Sequence, residues 1–256
     1  MSQIPKSIEK PKKWHSLSEI PERDREIPAQ NEAAVNVGNS TNQSTKQSII
    51  HPLLVGVSAA LMKLLWDSLV YPFSSFSVRV KRLGSARAAE QGKREGYEKG
   101  LLIETTNGQT TYILLTEKGF EALNTPYPYK RDVSLQHSFR VKLLQFLLSQ
   151  DPSYKKVFIE YPINQKGATA DVATLRHDSG KEGWEVTIST TNVITNLLKY
   201  EKTSFVKVVL IAPDYRLKEA IKSTILGAGL SSDLLARAEF RHFSQLLHRQ
   251  RKLYRY

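Results

Sequence analysis

Cysteine is absent from the 256 residues, which excludes disulfides, thiolate zinc sites and a cysteine nucleophile. Long apolar runs are absent as well. The longest candidate, Leu53 to Leu65, is interrupted by Gly56, Ser58 and Lys63 and is too short and too polar to cross a bilayer. The N-terminal residues are polar and lysine-rich and lack the apolar core of a secretory signal. A reducing cytoplasmic setting with no membrane partner is therefore expected. No internal repeat is evident. Acidic side chains are also scarce relative to basic ones: 25 against 37, a formal net charge of +12. That imbalance favours a polyanionic partner, nucleic acid or an acidic surface.

Residues 1–48 combine Pro5, Pro11, Pro21 and Pro28 with many charges and a polar run from Asn39 to Ser48. Too little apolar surface is available there to offset chain entropy, so a disordered tail is expected. Trp14-His15-Ser16-Leu17 is its one candidate docking motif. From Ile49 the composition changes. Leu53, Leu54, Val57, Ala60, Leu61, Leu64 and Leu65 recur at helical spacing, with Pro52 suited to a first turn and a stop near Tyr71-Pro72. Ser74 or Ser75 can cap a second helix that ends at Leu83-Gly84, and Ser85 a third that runs to Lys99-Gly100. Asn107-Gly108 then predicts a hairpin of two short strands, Leu101–Thr105 and Thr111–Leu115. A helix follows from Thr116 to about Leu123. The proline-rich segment around 126–132 reads as a linker between a domain at 49–125 and one at 133–256.

The order helix, helix, helix, hairpin, helix is what a winged helix-turn-helix needs. The chain resembles that family at Leu83-Gly84, at Glu98-Lys99-Gly100-Leu101 and at Leu115-Thr116-Glu117-Lys118-Gly119. Seven basic residues (79, 81, 82, 87, 93, 94, 99) face three acids (90, 95, 98) between positions 79 and 99. Arg79, Lys81, Arg82, Arg87, Lys93, Arg94 and, beside the hairpin, Lys118 are therefore the candidate contacts to double-stranded DNA. A solvated basic face and a protein–protein module are the alternatives. Gly92 and Gly96 interrupt the third helix, each costing about 1 kcal/mol relative to alanine. They imply either a close backbone approach or a broken helix.

After the linker the pattern becomes α/β. A helix is expected at 134–149, strands at 157–161, 170–176 and 183–189, and a helix near 192–202. A buried strand at 207–212, a helix at 215–226, a short strand near 236–240 and a basic C-terminal helix complete it. If the second and third strands pair through Asp178-Ser179-Gly180, which is good turn chemistry, Asp171 and Glu185 project toward one point. Two carboxylates suit Mg²⁺, which takes oxygen ligands and waters. Such an ion polarises a phosphate and activates water. Each acid is otherwise costly to bury without a cation, so an ion pair with Lys199 is the plainer alternative. Ser189, Thr190 and Thr191 lack a flanking histidine–acid pair, and a serine nucleophile is rejected. His137 is expected to pack near the site and His177 to sit in a turn.

Glu160, Asp171-Val172, Glu185-Val186-Thr187, Thr190 and Asn196-Leu197-Leu198-Lys199 resemble the PD-(D/E)xK nuclease superfamily, in particular a subgroup that accompanies DNA-translocating ATPases and mobile elements. The resemblance implies a mixed β-sheet flanked by helices, with Asp171 and Glu185 as metal ligands for Mg²⁺ or Mn²⁺ and Glu160 as an outer ligand. The family's usual lysine, two residues after the second acid, is Thr187 here, which leaves activity in question. Lys199 is read as its replacement, with Asn196 supporting it from the same helical face. The expected whole is an α/β (α+β overall) protein, nucleoid-associated. Three readings stay open: a Mg²⁺-dependent endonuclease of linear or branched duplexes, a catalytically silent accessory protein recruiting a translocase or recombinase, and a regulator whose α/β part makes a homodimer.

Overall fold

In the computed structural model, which describes residues 51–163 and 167–253 with side chains as far as Arg249, the helix expected from Leu53 onward is broken in two. Pro52–Leu54 form a single 3₁₀ turn, and α1 runs from Ala59 to Val70. The cause is local: Gly56 adopts φ 71°, and the Ser58 hydroxyl caps the new helix by accepting from the Leu61 amide. The following elements form where their caps predict. α2 (Phe76–Leu83) starts after Ser75 and stops at Gly84, which is left-handed with φ 76°. α3 (Ala86–Glu98) starts after Ser85. β1 (Leu102–Asn107) and β2 (Thr110–Leu115) pair antiparallel, and α4 (Glu117–Ala122) begins after Thr116. The expected tail at 1–48, with its Trp14–Leu17 motif, lies outside the described residues, as do the side chains of Arg251, Lys252 and Arg255.

The two glycines of α3 resolve in favour of close approach. α3 is continuous, and a Cβ on Gly92 would stand 2.8 Å from the Ala60 carbonyl oxygen of α1, while one on Gly96 would meet the Leu102 side chain. Their helix-propensity cost is the condition for packing α3 directly on α1. Leu61, Leu64, Leu65, Leu101, Ile113 and Phe120 fill the core so formed.

The remainder is a five-stranded mixed sheet between helices. α5 (Leu135–Ser149) precedes β3 (Tyr154–Pro162), β4 (Thr169–Arg176) and β5 (Lys181–Val186). α6 (Val193–Leu198), β6 (Phe205–Ala212), α7 (Tyr215–Leu226), α8 (Ser232–Arg237), β7 (Ala238–His242) and α9 (Phe243–Leu253) follow. The strand order is β3-β4-β5-β6-β7, antiparallel as far as β5 and parallel from β5 to β7. The apolar run of β6 follows from its central place: Val209 and Ile211 enter the core under α5 and α9, while Val208, Leu210 and Ala212 enter the core under α6 and α7. The protein is thus a mixed α+β structure.

The elements from α1 to α4 do not stand apart from the sheet. All described residues belong to one compact unit, Ile49–Tyr256, and Tyr112 and Leu114 of β2 share a core with Phe139 and Leu143 of α5. Arg140 of α5, 6 % exposed, donates to the Asn107 carboxamide oxygen at 2.8 Å, the Thr105 hydroxyl at 2.9 Å and the Thr106 carbonyl at 3.0 Å. Asn107 pairs with Thr110, so the hairpin loop is Gly108-Gln109, one residue later than Asn107-Gly108 suggests. Only Gly108 takes a positive φ, 61°. Asn107 is buried because it holds the arginine, and the hairpin tip rests against α9, where a Cβ on Gly108 would meet the Ser244 hydroxyl.

Candidate active site and nucleic-acid interface

The β4–β5 hairpin forms as its turn residues predict. Ser179 adopts φ 66°, and the Asp178 carboxylate accepts from the Gly180 amide at 3.0 Å. The register Val172↔Trp184, continued by one residue, sets Asp171 across from Glu185. Trp184 and Val186 enter one core, whereas Glu185 points to the opposite face, under α6. There the Lys199 ammonium donates to Glu185 Oε2 at 2.7 Å and to the Thr169 carbonyl at 2.8 Å. Asp171 Oδ2 accepts from the Val186 amide at 2.8 Å. The two acids and the lysine, far apart in the chain, therefore meet at one end of the sheet.

Their environments differ. Asp171 keeps 25 % of its side-chain surface exposed, and His137 Nε2 lies 3.5 Å from its Oδ1. Glu185 is 1 % exposed. Burial, and next the charge of Asp171, push its pKa up to about 8, against the opposing pull of Lys199 and Tyr200. Asp171 and Glu185 therefore place two carboxyl groups side by side, one partly solvated and one buried against Lys199. Two hard oxygen donors, one of them on an acid open to solvent, are of the kind a divalent cation takes, and Asp171 and Glu185 are the residues that could hold one. Among the described residues, however, no group of three or more histidine, aspartate or glutamate side chains converges on a metal position.

Tyr200 is the residue that sequence reasoning missed. It is fully buried, and its hydroxyl donates a short hydrogen bond to Glu185 Oε1. Burial and the adjoining carboxylate raise its pKa far above the tyrosine range, so it remains a hydroxyl donor. The available signal was Gly183: a glycine inside a strand marks a close approach, and a Cβ there would stand 2.8 Å from the tyrosine Cζ and oxygen.

The other expected site residues are placed as follows. Glu160 is bracketed by the pairs Ile159↔Val172 and Tyr161↔Ala170, opposite Asp171, yet its carboxylate pairs with Lys130 at 2.7 Å. Its φ is 52°, sparsely populated for a non-glycine residue. The strand changes phase there: Val157 and Ile159 pack on one core, Tyr161 and Ile163 on the other. Asn196 is half-buried one turn before Lys199, and its carboxamide makes no hydrogen bond to another described residue. Thr187, where the family's lysine is expected, is buried with its hydroxyl 3.4 Å from the Glu185 carbonyl. His177 sits in the β4–β5 turn against the Pro152 carbonyl.

Of the candidate nucleic-acid contacts, Arg79 requires correction. It is 0 % exposed, because its guanidinium is enclosed by Asp67 at 2.6 Å and by the carbonyls of Tyr71, Pro72 and Ile113. Arg82 binds the same Asp67 at 2.8 and 3.0 Å and lies over the Tyr71 ring. Lys93 pairs with Glu90 at 2.8 Å and lies over Phe76. Lys118 donates to the Lys99 carbonyl at the end of α3. Lys81 and Arg87 are exposed and have no ion-pair partner among the described residues, and Arg94 is exposed beside Glu98 at 4.0 Å. In the C-terminal segment Arg237 ties the carbonyls of Tyr200, Glu201 and Phe205 to Asp233, and Arg249 pairs with Asp151.

Comparisons with protein-family models, with curated proteins and with solved structures return no match. Among the described residues, no helix is long and apolar enough to cross a membrane.

Proposed function

We propose that the chain is a double-stranded-DNA-binding protein whose α/β part is a PD-(D/E)xK-type centre for Mg²⁺- or Mn²⁺-dependent phosphodiester hydrolysis. The observation that carries this reading is the meeting of Asp171, Glu185 and the Lys199 ammonium at one end of the sheet, with Lys199 2.7 Å from Glu185. Asp171 and Glu185 hold the ion, which when bound supplies positive charge to the phosphate and lowers the pKa of water. Lys199 and Tyr200 fix the Glu185 carboxylate, and the Lys199 side chain, 19 % exposed, remains able to stabilise negative charge on a phosphate. The duplex lies on a winged-helix face made by α2 and α3, through Lys81, Arg87 and Arg94. The hairpin serves as a brace, since its tip is packed against α9.

The test is a panel of linear, supercoiled and branched DNAs incubated with Mg²⁺ or Mn²⁺. Wild type is expected to cleave at least one, and Asp171→Ala and Glu185→Ala to cleave none. Intact DNA throughout, from a folded protein, defeats the hydrolytic reading. One observation favours a second reading, a catalytically silent accessory protein that recruits a translocase or recombinase. Thr187 replaces the usual lysine, and both oxygens of Glu185 are already engaged within the protein. Under that reading duplex binding survives in both variants and cleavage is absent from wild type.

A further inference from the structure

The least explained cavity is not at the carboxylate centre. It measures about 310 Å³ and lies between α1, β2, α4, α5 and the loop at 124–130. That is the low end of the range for small-molecule sites, which favour junctions between parts of a fold. Phe73, Phe120 and Tyr129 line it. One polar group on its wall lacks the partner its position calls for. Lys142 uses one donor on the Pro128 carbonyl at 2.7 Å and lies 4.8 Å from the centre of the Tyr129 ring, leaving two donors. Burial lowers its pKa, and it has no carboxylate partner among the described residues. A partly dehydrated ammonium in an aromatic surround is set to receive an anion.

We propose that this cavity binds a small aromatic carboxylate, its ring among Phe73, Phe120 and Tyr129 and its carboxylate on Lys142. Water does not account for the space equally well, since a stable buried water needs two to four polar partners and the remaining lining is mainly apolar. A helix or strand of another protein is too large for this volume. The inference is independent of any nuclease activity.

The test titrates the full chain with naphthalene-2-carboxylate, naphthalene-2-carboxamide and cyclohexanecarboxylate by calorimetry and ligand-observed NMR. The aromatic carboxylate is expected to bind about tenfold more tightly than its amide, as befits a charge-assisted hydrogen bond, and more tightly than the cyclohexane acid. Lys142→Met should abolish the preference for carboxylate over amide. Ser68→Leu, which fills the space with a good helix former, should remove binding without lowering the unfolding midpoint. No binding of the aromatic carboxylate at 10 mM ligand (on the order of the weakest affinity of interest) overturns the proposal. So does equal affinity for acid and amide, or wild-type affinity in Ser68→Leu.

Discussion

Arg79 offers a test of whether burial or surface charge governs the role of an arginine in a basic segment. Replacing it with methionine keeps the volume and removes the guanidinium. Four acceptors lose a donor: Asp67, and the carbonyls of Tyr71 at 2.8 Å, Pro72 at 3.3 Å and Ile113 at 3.4 Å. The last two are long and contribute little. Breaking a buried ion pair typically costs 3–5 kcal/mol. Here Arg82 still holds both oxygens of Asp67, so the low end applies, about 3 kcal/mol. Arg79→Lys keeps the charge but cannot fork between Asp67 and Tyr71, and should lose less. The assay is urea denaturation, read together with duplex affinity between 50 and 200 mM salt. Destabilisation with no change in the salt slope of Arg79→Lys is expected. A loss below about 1 kcal/mol, the scale of an exposed pair, or a flatter salt slope, would refute the assignment of Arg79 to the interior. A pH arm adds a sign. Burial works to raise the Asp67 pKa, but hydrogen bonds from Arg82 and Arg79 overcome it and hold the pKa below 3.8. The pair's stabilisation is thus present above pH 3.8 and disappears as pH falls through the lowered value, so wild type and Arg79→Met should converge in acid.

Three further outcomes follow from the same geometry. Lys81→Ala and Arg87→Ala should each flatten the log-affinity against log-salt slope by about 0.9, one phosphate contact apiece; unchanged slopes would remove α2 and α3 from the interface. Glu185→Gln should become more stable relative to wild type as pH rises from 4.5 to about 8, because the raised pKa makes the folded wild type lose its advantage over that window. A pH-independent difference in denaturant midpoints would contradict this. Gly183→Ala forces a methyl into the space of the Tyr200 ring and should cost about 1–3 kcal/mol, whereas Gly183→Ala combined with Tyr200→Leu should recover part of that loss.

Much of the site is legible before folding because its geometry is local. Asp178-Ser179-Gly180 makes a turn, the turn sets a hairpin, and the hairpin register places Asp171 across from Glu185. Helical spacing similarly puts Asn196 and Lys199 one turn apart. The helix starts at Ser75, Ser85, Thr116 and Ser134 are equally local, each a hydroxyl accepting from the amide three residues on. What sequence reading misplaced depends on distant neighbours. Arg79 looks like its basic neighbours, and only the carbonyls of β2 and the end of α1 make it an interior residue. Asn107 reads as a turn residue until Arg140, 33 positions away, occupies its carboxamide. Tyr200 could not be paired with Glu185 without knowing that its ring lies against Gly183.

The amino-acid order by itself determined the caps, the turns, the strand periodicity and the basic balance, because these depend on interactions within a few residues. Tertiary structure alone decided which charges reach solvent and which hold the interior together. A guanidinium or carboxylate is drawn inside only where distant backbone groups and opposite charges are already arranged to replace its water.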